Sequence, residues 1–358
     1  MLEEQLVGWD GEELVARFDE ATSTWMFIGV HSTALGPAMG GTRMKQYPSP
    51  DDAVRDVLRL SQAMSMKQAA AGLPYGGGKA VLAVPSVPAR GSAERAAVLA
   101  GYAALVDSLH GTYVTAADMN TGPADMDAIA ERTPHVLGRS PSNGGAGDPG
   151  EGTAIGVFHA IRATCRHAFG SDDLSARTIV VQGAGSVGAR LIAELLDVGA
   201  KVMAADVDAA RVAATGAEPV PTELALTTPC DVLAPCATGA VLSEKTIPGL
   251  ACHAVAGAAN NQLATPEDAA RLAARGILYA PDYVANAGGV IWLAGYETLG
   301  WDDAHMRARL AGIEQTLDRV FADAAATGMS TAEAADGIAR ARITAAGGSS
   351  RIHTEAGS

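Results

Sequence analysis

Residues Thr178–Asp206 read TIVVQGAGSVGARLIAELLDVGAKVMAAD. TIVVQ is a short β-branched run of the kind that sits buried on both faces of a parallel sheet. It runs directly into Gly183, Gly185 and Gly188 in G-x-G-x-x-G spacing. A helical segment, ARLIAELLDVG, follows, then a second strand, KVMAAD, ending at Asp206. The glycine spacing alone is a weak signal. Strand, glycine turn, helix, strand and terminal acid in this order form the full dinucleotide fingerprint. The backbone of Gly183, Gly185, Ser186, Val187 and Gly188 is expected to cradle a pyrophosphate at the helix N-terminus, where free N–H groups and the helix dipole favour an anion. Asp206 is expected to accept hydrogen bonds from the adenosine ribose and to repel a 2′-phosphate, which favours NAD over NADP. Asp208 is the alternative acid.

Outward towards the C-terminus, CDVLAPCATGAVL, HAVAGAANNQL and ILYAPDYVANAGGVI each read as a short apolar strand ending in small and polar residues. The ends are Cys236-Ala237-Thr238, Asn260-Asn261 and Asn286. In a doubly wound sheet such ends line the ligand crevice, and Asn and Ala there suit a carboxamide or carboxylate. From Trp301 on, the pattern is helical. Outward towards the N-terminus, Ser140–Thr153 is rich in Gly, Pro, Ser and Asn and reads as a linker and hinge, with Thr153 opening the next helix. The expected fold is α/β in two domains separated by a cleft. Residues 1–139 form an α/β substrate domain, with C-terminal helices of about 325–346 packing back on it. Residues 140–324 form a Rossmann-type doubly wound dinucleotide domain, and 347–358 a disordered tail.

In the first half, Leu14–Asp19 and Thr24–Ser32 alternate as an antiparallel strand pair. In LGPAMGGTRM, Gly40-Gly41 allows a close backbone approach and Arg43 supplies a fixed cation. Ser49-Pro50-Asp51-Asp52 starts a helix that runs into Lys67. The stretch SMKQAAAGLPYGGGKAV, Ser65–Val81, carries Lys67 and Lys79 among small and apolar residues with no acid beside either. Such lysines are either ordinary solvated residues, at a helix end and a glycine turn, or cleft residues whose desolvation lowers their pKa. Tyr113–Asn120 reads as a buried strand ending in Asp118, which is either a turn-capping acid or a proton-transfer group.

The 358 residues are 48% hydrophobic and only 4% aromatic, so the cores rest on Ala, Val, Leu and Ile. A net charge of −14 argues against nucleic acid or an anionic membrane as partner. Cys165, Cys230, Cys236 and Cys252 lack C-x-x-C spacing, so they read as free thiols in a reducing compartment and no metal site is expected. The acidic start and the lack of an 18-residue apolar run point to a cytoplasmic protein without membrane spans.

Taken together, LGPAMGGTRM, MSMKQAAAGLPYGGGKAV, TAADMN, NGGAGD, GAGSVG with Asp206, APCA, AGAANNQLA and PDYVANAGGV resemble the glutamate/leucine/phenylalanine/valine dehydrogenase family over about Leu35–Gly300. The short chain and the LGPAMGGTR form look like the leucine, valine and phenylalanine branches. The resemblance implies NAD-dependent oxidative deamination of a hydrophobic L-amino acid and a homo-oligomer. It implies that Lys67 holds the substrate carboxylate, with the Gly40-Gly41 backbone nearby. Lys79, with a lowered pKa, would activate water, and Asp118 would carry the proton of the substrate nitrogen. Asn260 or Asn261 would touch substrate and nicotinamide ribose, and Thr153 and Ala237 would orient the carboxamide. The side-chain pocket would be Met39, Ala116, Val290 and Leu293, which favours leucine or valine.

Phenylalanine is the alternative substrate: the WDGE opening, Leu73-Pro74, Asn120-Thr121 and LGW at Leu299–Trp301 look more like phenylalanine dehydrogenases. A silent NAD-binding regulator would lack one of Lys67, Lys79 and Asp118. A 2-hydroxy-acid dehydrogenase would want a histidine base, and His159, His167 and His253 lie beside no site residue.

Overall fold

The alternating segments near the N-terminus form β1 (Glu13–Asp19) and β2 (Thr24–Ser32), paired antiparallel in the computed structural model. The structure describes residues 2–347. The chain divides into two units. One comprises Met1–Asp148, Tyr296–Gly300 and Ala339–Ser358, the other Pro149–Gly295 and Trp301–Ile338.

In the first unit, α1 (Leu2–Val7) precedes β1, and β3 (Ala38–Lys45) follows β2. Next come α2 (Pro50–Ala71), β4 (Gly76–Ala83), α3 (Ala93–Asp107), β5 (Tyr113–Ala117) and α4 (Pro123–Ala130). The sheet order is β1-β2-β4-β3-β5; β4, β3 and β5 are mutually parallel and β2 pairs antiparallel to β4. Ser49 caps α2 by accepting from the Asp52 N–H at 3.2 Å. Gly76, Gly77 and Gly78 lie inside β4 and not in a turn. The reason is steric: a Cβ on Gly77 would stand 2.1 Å from the Ser65 nitrogen of α2. Gly40 answers the same constraint, since its Cβ would meet the Gly78 carbonyl at 1.7 Å. The close approach expected at Gly40-Gly41 is therefore to the neighbouring strands. Met26, Ile28, Leu82, Tyr102 and Tyr113 fill the core between this sheet and α3 and α4.

The second unit runs α5 (Gly150–Phe169), β6 (Thr178–Gln182), α6 (Ser186–Asp197), β7 (Lys201–Ala205), α7 (Ala209–Ala213), β8 (Glu218–Pro219) and β9 (Cys230–Pro235). It continues with β10 (Cys252–Val255), α8 (Glu267–Ala274), β11 (Leu278–Tyr279), α9 (Asp282–Ala285), α10 (Gly288–Glu297, whose last two residues fall in the first unit), α11 (Asp303–Thr327) and the part of α12 (Thr331–Ala345) up to Ile338. Its sheet is parallel with order β11-β10-β9-β6-β7-β8, a doubly wound arrangement.

Two readings need correction here. Thr153 does not open its helix, because α5 starts at Gly150. The stretch read as one strand ending at Asn286 is two residues of β11, then α9 and α10, with Asn286 at the C-terminus of α9. Six of the ten α10 residues are buried, so no polar stripe marks it as a helix. Of the C-terminal helices, α11 belongs to the second unit, while α12 is divided, its residues to Ile338 in the second unit and those from Ala339 in the first. Arg166 ties α11 to α5 through Glu314 and Asp318. In α12, Thr331 Oγ1 donates to the Tyr279 carbonyl within the second unit, and Arg342 donates to the Ala69 and Ala70 carbonyls within the first. The tail expected to be disordered lies, beyond Gly347, outside the described residues. Among the described residues, no helix is long and apolar enough to cross a membrane.

One buried ion pair fixes the loop after β5. Arg95, 3% exposed, donates to both Asp125 oxygens at 2.6 and 2.8 Å and to the Asn120 carbonyl at 2.6 Å. Removing one partner strands a buried charge, which costs about 3–5 kcal/mol. Asp125→Ala should therefore lower the unfolding free energy by about that amount in a denaturant titration. A loss under about 1 kcal/mol, the surface-pair range, would contradict the structure.

Candidate active site

Lys79 sits in the middle of β4, and Asp118 directly follows β5. Lys79 Nζ lies 3.0 Å from Asp118 Oδ2, with the two side chains 7% and 23% exposed. The acid missing from Lys79's sequence neighbourhood is thus supplied by the sheet. The same oxygen accepts from Arg43 Nε at 3.1 Å. Burial alone would raise the Asp118 carboxyl, but the Lys79 and Arg43 charges hold it at about 2. A turn fixes its backbone. The Asp118 N–H donates to Thr121 Oγ1 at 2.9 Å, and Thr121 Oγ1 donates to the Thr42 carbonyl at 2.8 Å. The turn-capping and proton-transfer readings of Asp118 are compatible, since backbone makes the turn and the carboxylate faces the lysine.

In sequence Arg43 stands out only as a cation. Its pairing with Asp118, 75 residues away, leaves no spacing signal. Its Nη1 also donates to Asp56 at 2.9 Å. Lys67 lies half-buried in α2, two residues after Ser65, which packs on Gly77. Ser65 Oγ and His31 Nδ1 share a hydrogen bond of 2.8 Å. Met39 and Ala116 are buried on β3 and β5, with Met39 in register with Gly77 and Ala116 with Gly41. The first unit thus brings Lys79, Asp118 and Arg43 into contact, and its glycine packing fixes the elements that carry Lys67, Met39 and Ala116.

On the second unit, the sheet order reverses between β6 and β9, which is where doubly wound sheets bind nucleotides. Gly183 has φ 103° and would place a Cβ 2.9 Å from the Ala237 nitrogen. A Cβ on Gly188 would lie 1.8 Å from the Gly183 carbonyl, so the third glycine presses α6 onto the turn. A Cβ on Gly185 would meet nothing within 4 Å. Ser186 and Val187 form the first turn of α6. Asp206 Oδ2 accepts from the Ala184 N–H at 2.7 Å and Oδ1 from the Asp208 N–H at 2.9 Å. The Asp208 amide, helped by that of Ala184, keeps this carboxyl below its ordinary range against the opposing effect of burial.

Ala240 N–H donates to the Asn261 carbonyl at 2.7 Å, and Asn286 Nδ2 to Asn260 Oδ1 at 2.9 Å. Ala237, Asn260, Asn261 and Asn286 therefore share one end of the sheet. Buried oxygens of Asn286, Gln182 and Gln262 accept no hydrogen bond among the described residues. Gln182 and Gln262 escaped the sequence reading because nothing in their spacing sets them apart. Three orphaned acceptors at the ends of the strands, Gln182 next to the glycine turn and Gln262 and Asn286 against the loop after β10, fit a ligand rich in hydroxyl and amide donors, as a nicotinamide dinucleotide is. Thr153 Oγ1 donates to the Pro149 carbonyl at 2.9 Å and touches the start of α10 at Gly289. Val290, half-buried, and Leu293, buried, follow on that helix.

The family described as Glu/Leu/Phe/Val dehydrogenase, dimerisation domain, matches residues 18–135. Glutamate/Leucine/Phenylalanine/Valine dehydrogenase matches 144–216 and 205–350. The chain belongs to the Glu/Leu/Phe/Val dehydrogenase family. A valine dehydrogenase of Streptomyces virginiae is 44% identical over 93% of this chain and 94% of its own length. A leucine dehydrogenase of Geobacillus stearothermophilus is 39% identical, covering 94% of this chain and 91% of the relative. The crystal structure of L-tryptophan dehydrogenase from Nostoc punctiforme superposes with a TM-score of 0.81 at 34% identity, covering 96% of this chain and 99% of that one. As a member of this dehydrogenase family, the chain is an amino acid dehydrogenase that works with a nicotinamide dinucleotide.

The Asp118 ion pairs make stability depend on pH with a definite sign. The folded carboxyl ionises at about 2 against an ordinary 3.8, so its contribution is present above about pH 4 and is lost as pH falls towards 2. The shift corresponds to about 2 kcal/mol. The unfolding free energy of the wild type relative to Asp118→Asn should shrink by about that amount between pH 6 and pH 2. A pH-independent difference would contradict the pairing.

Proposed function

We propose that this enzyme carries out NAD-dependent, reversible oxidative deamination of an aliphatic L-amino acid, valine or leucine, giving the 2-oxo acid, ammonium and NADH. The observation that carries this reading is the Lys79–Asp118 pair at 3.0 Å, on a strand packed against the helix that bears a second lysine. Lys67 takes the substrate carboxylate, with the Gly40-Gly41 backbone beside it. Asp118 takes the proton that the substrate ammonium must lose. Bound nicotinamide supplies the hydride acceptor. On the resulting imine, Lys79 in its unprotonated form takes a proton from water as the water oxygen bonds to the imine carbon; on collapse of the carbinolamine Asp118 returns its proton to the nitrogen, the C–N bond breaks, and the hydroxyl proton leaves with the nitrogen as ammonium.

The turn at Gly183, Gly185, Ser186, Val187 and Gly188 holds the pyrophosphate. Asn260 or Asn261 reaches the ribose of the nicotinamide and the substrate, while Thr153, Ala237 and Asn286 orient the carboxamide. Asp206, held ionised by two amides, selects NAD because a 2′-phosphate would meet its charge. The "dimerisation domain" description of the first unit's match supports a homo-oligomer, and the four free cysteines fit the cytoplasm.

The aliphatic preference is supported by valine and leucine dehydrogenase relatives at 38–44% identity, above the 34% shared with the tryptophan enzyme. It is also supported by the bulk of Met39 and the methyl of Ala116, because close-packed pockets register single methylenes. A glutamate enzyme would need a cation for the distal carboxylate; the two lysines are assigned above, and Arg43 is taken up by Asp118 and Asp56. The test is kcat/KM for L-valine, L-leucine and L-phenylalanine with NAD under one condition. The better aliphatic substrate should lead; pocket size discriminates about 10- to 200-fold per methylene. A phenylalanine value about tenfold above the better aliphatic one would overturn the aliphatic assignment and leave the reaction class standing.

A further inference from the structure

Asp118 uses its two oxygens differently. Oδ2 accepts from Lys79 Nζ of β4 and from Arg43 Nε of β3, while Oδ1 has no partner among the described residues. Arg43 is itself held from behind. Its Nη1 donates to Asp56 Oδ2 of α2 at 2.9 Å, and the same oxygen accepts from Tyr47 OH at 2.6 Å. Asp56 Oδ1 takes Arg59 at 2.9 Å. The result is an alternating row, Lys79–Asp118–Arg43–Asp56–Arg59, with Arg43 and Asp56 only 16% and 14% exposed. A lysine is a single mobile point of charge, and a carboxylate bound to it alone can turn about its broad terminal torsion. The planar arginine fork, clamped between two carboxylates, cannot follow that turn.

We propose that Arg43 is a positioning residue for Asp118: it pins Oδ2 and so assigns Oδ1 as the oxygen that exchanges the proton with the substrate nitrogen. The assignment rests on the role given to Asp118 above. At the start of deamination, a substrate N–H bond breaks, an O–H bond forms at Oδ1, and the electron pair stays on nitrogen. On collapse of the carbinolamine the Oδ1–H bond breaks, the nitrogen pair takes the proton and the carboxylate is restored; the C–N bond then breaks with its pair on nitrogen, and the carbinolamine hydroxyl gives up its proton to the leaving nitrogen as the carbonyl forms.

The test is a double-mutant cycle of Arg43→Gln and Asp118→Asn, with kcat and KM measured for L-valine and NAD. Arg43→Gln alone should lower kcat about tenfold or more and move either KM by no more than about twofold. In the Asp118→Asn background the same change should alter kcat by less than about twofold, because residues that act as a unit are not additive. Equal factors in both backgrounds, a loss confined to KM, or wild-type kcat would each overturn the proposal. Should Arg43→Gln not fold, Arg43→Lys carries the same cycle, since an ammonium keeps the charge but cannot span Asp118 and Asp56. Near wild-type turnover in Asp118→Asn alone would instead remove Asp118 from the mechanism and overturn the reading beneath.

Discussion

The site in the first unit depends on how closely α2 lies against β4. Ser65 and Gly77 touch at a distance that leaves no room for a single Cβ on the glycine. Two residues further on in each element stand Lys67 and Lys79. Gly40 makes the same concession to the Gly78 carbonyl, so β3, β4 and α2 are locked by missing side chains. Glycine in a strand ordinarily weakens it through entropy and lost packing. Here the loss is offset by a helix and two parallel strands that seat the chemistry on rigid elements, which holds a site more accurately than loops do.

Electrostatics then completes what packing begins. A buried ammonium without an acid would be costly, and the residues flanking Lys79 in sequence offer none. Asp118 arrives from β5, and Arg43 joins it from the strand between. The loop that presents Asp118 is tied down by Thr121 and, through Asn120, by the buried Arg95–Asp125 pair. Structural groups and the ionisable groups of the site therefore lie in one connected network. The second unit follows a separate logic, in which glycines and small residues clear space at the reversal of the sheet and leave three buried acceptors unmatched.

The second unit's fold was legible because its signals are local. The strand, the glycine turn, the helix and Asp206 fall within one stretch of chain. The two lysines and Asp118 stand out through their surroundings in sequence, and the structure brings Lys79 and Asp118 together. What escaped was tertiary. Nothing near Arg43 in sequence points to Asp118, and nothing near Gln262 points to a buried orphaned oxygen. The three glycines of β4 show no alternation, because they have no side chains to alternate, so one of the two readings of the stretch placed them in a turn. Helix α10 was hidden by being apolar on almost every side, and with it went the placement of Val290 and Leu293. The helix α12 is shared between units, a partition that periodicity cannot express.

The proposed reaction turns on Lys79, held against Asp118 inside the sheet, as the base for the water that releases ammonium. The most direct measurement is the kcat of Lys79→Ala with L-valine and NAD, taken beside a nucleotide-binding titration of the same protein. The kcat should fall by more than about 100-fold, with nucleotide affinity within about twofold of wild type. Turnover near the wild-type value would contradict it.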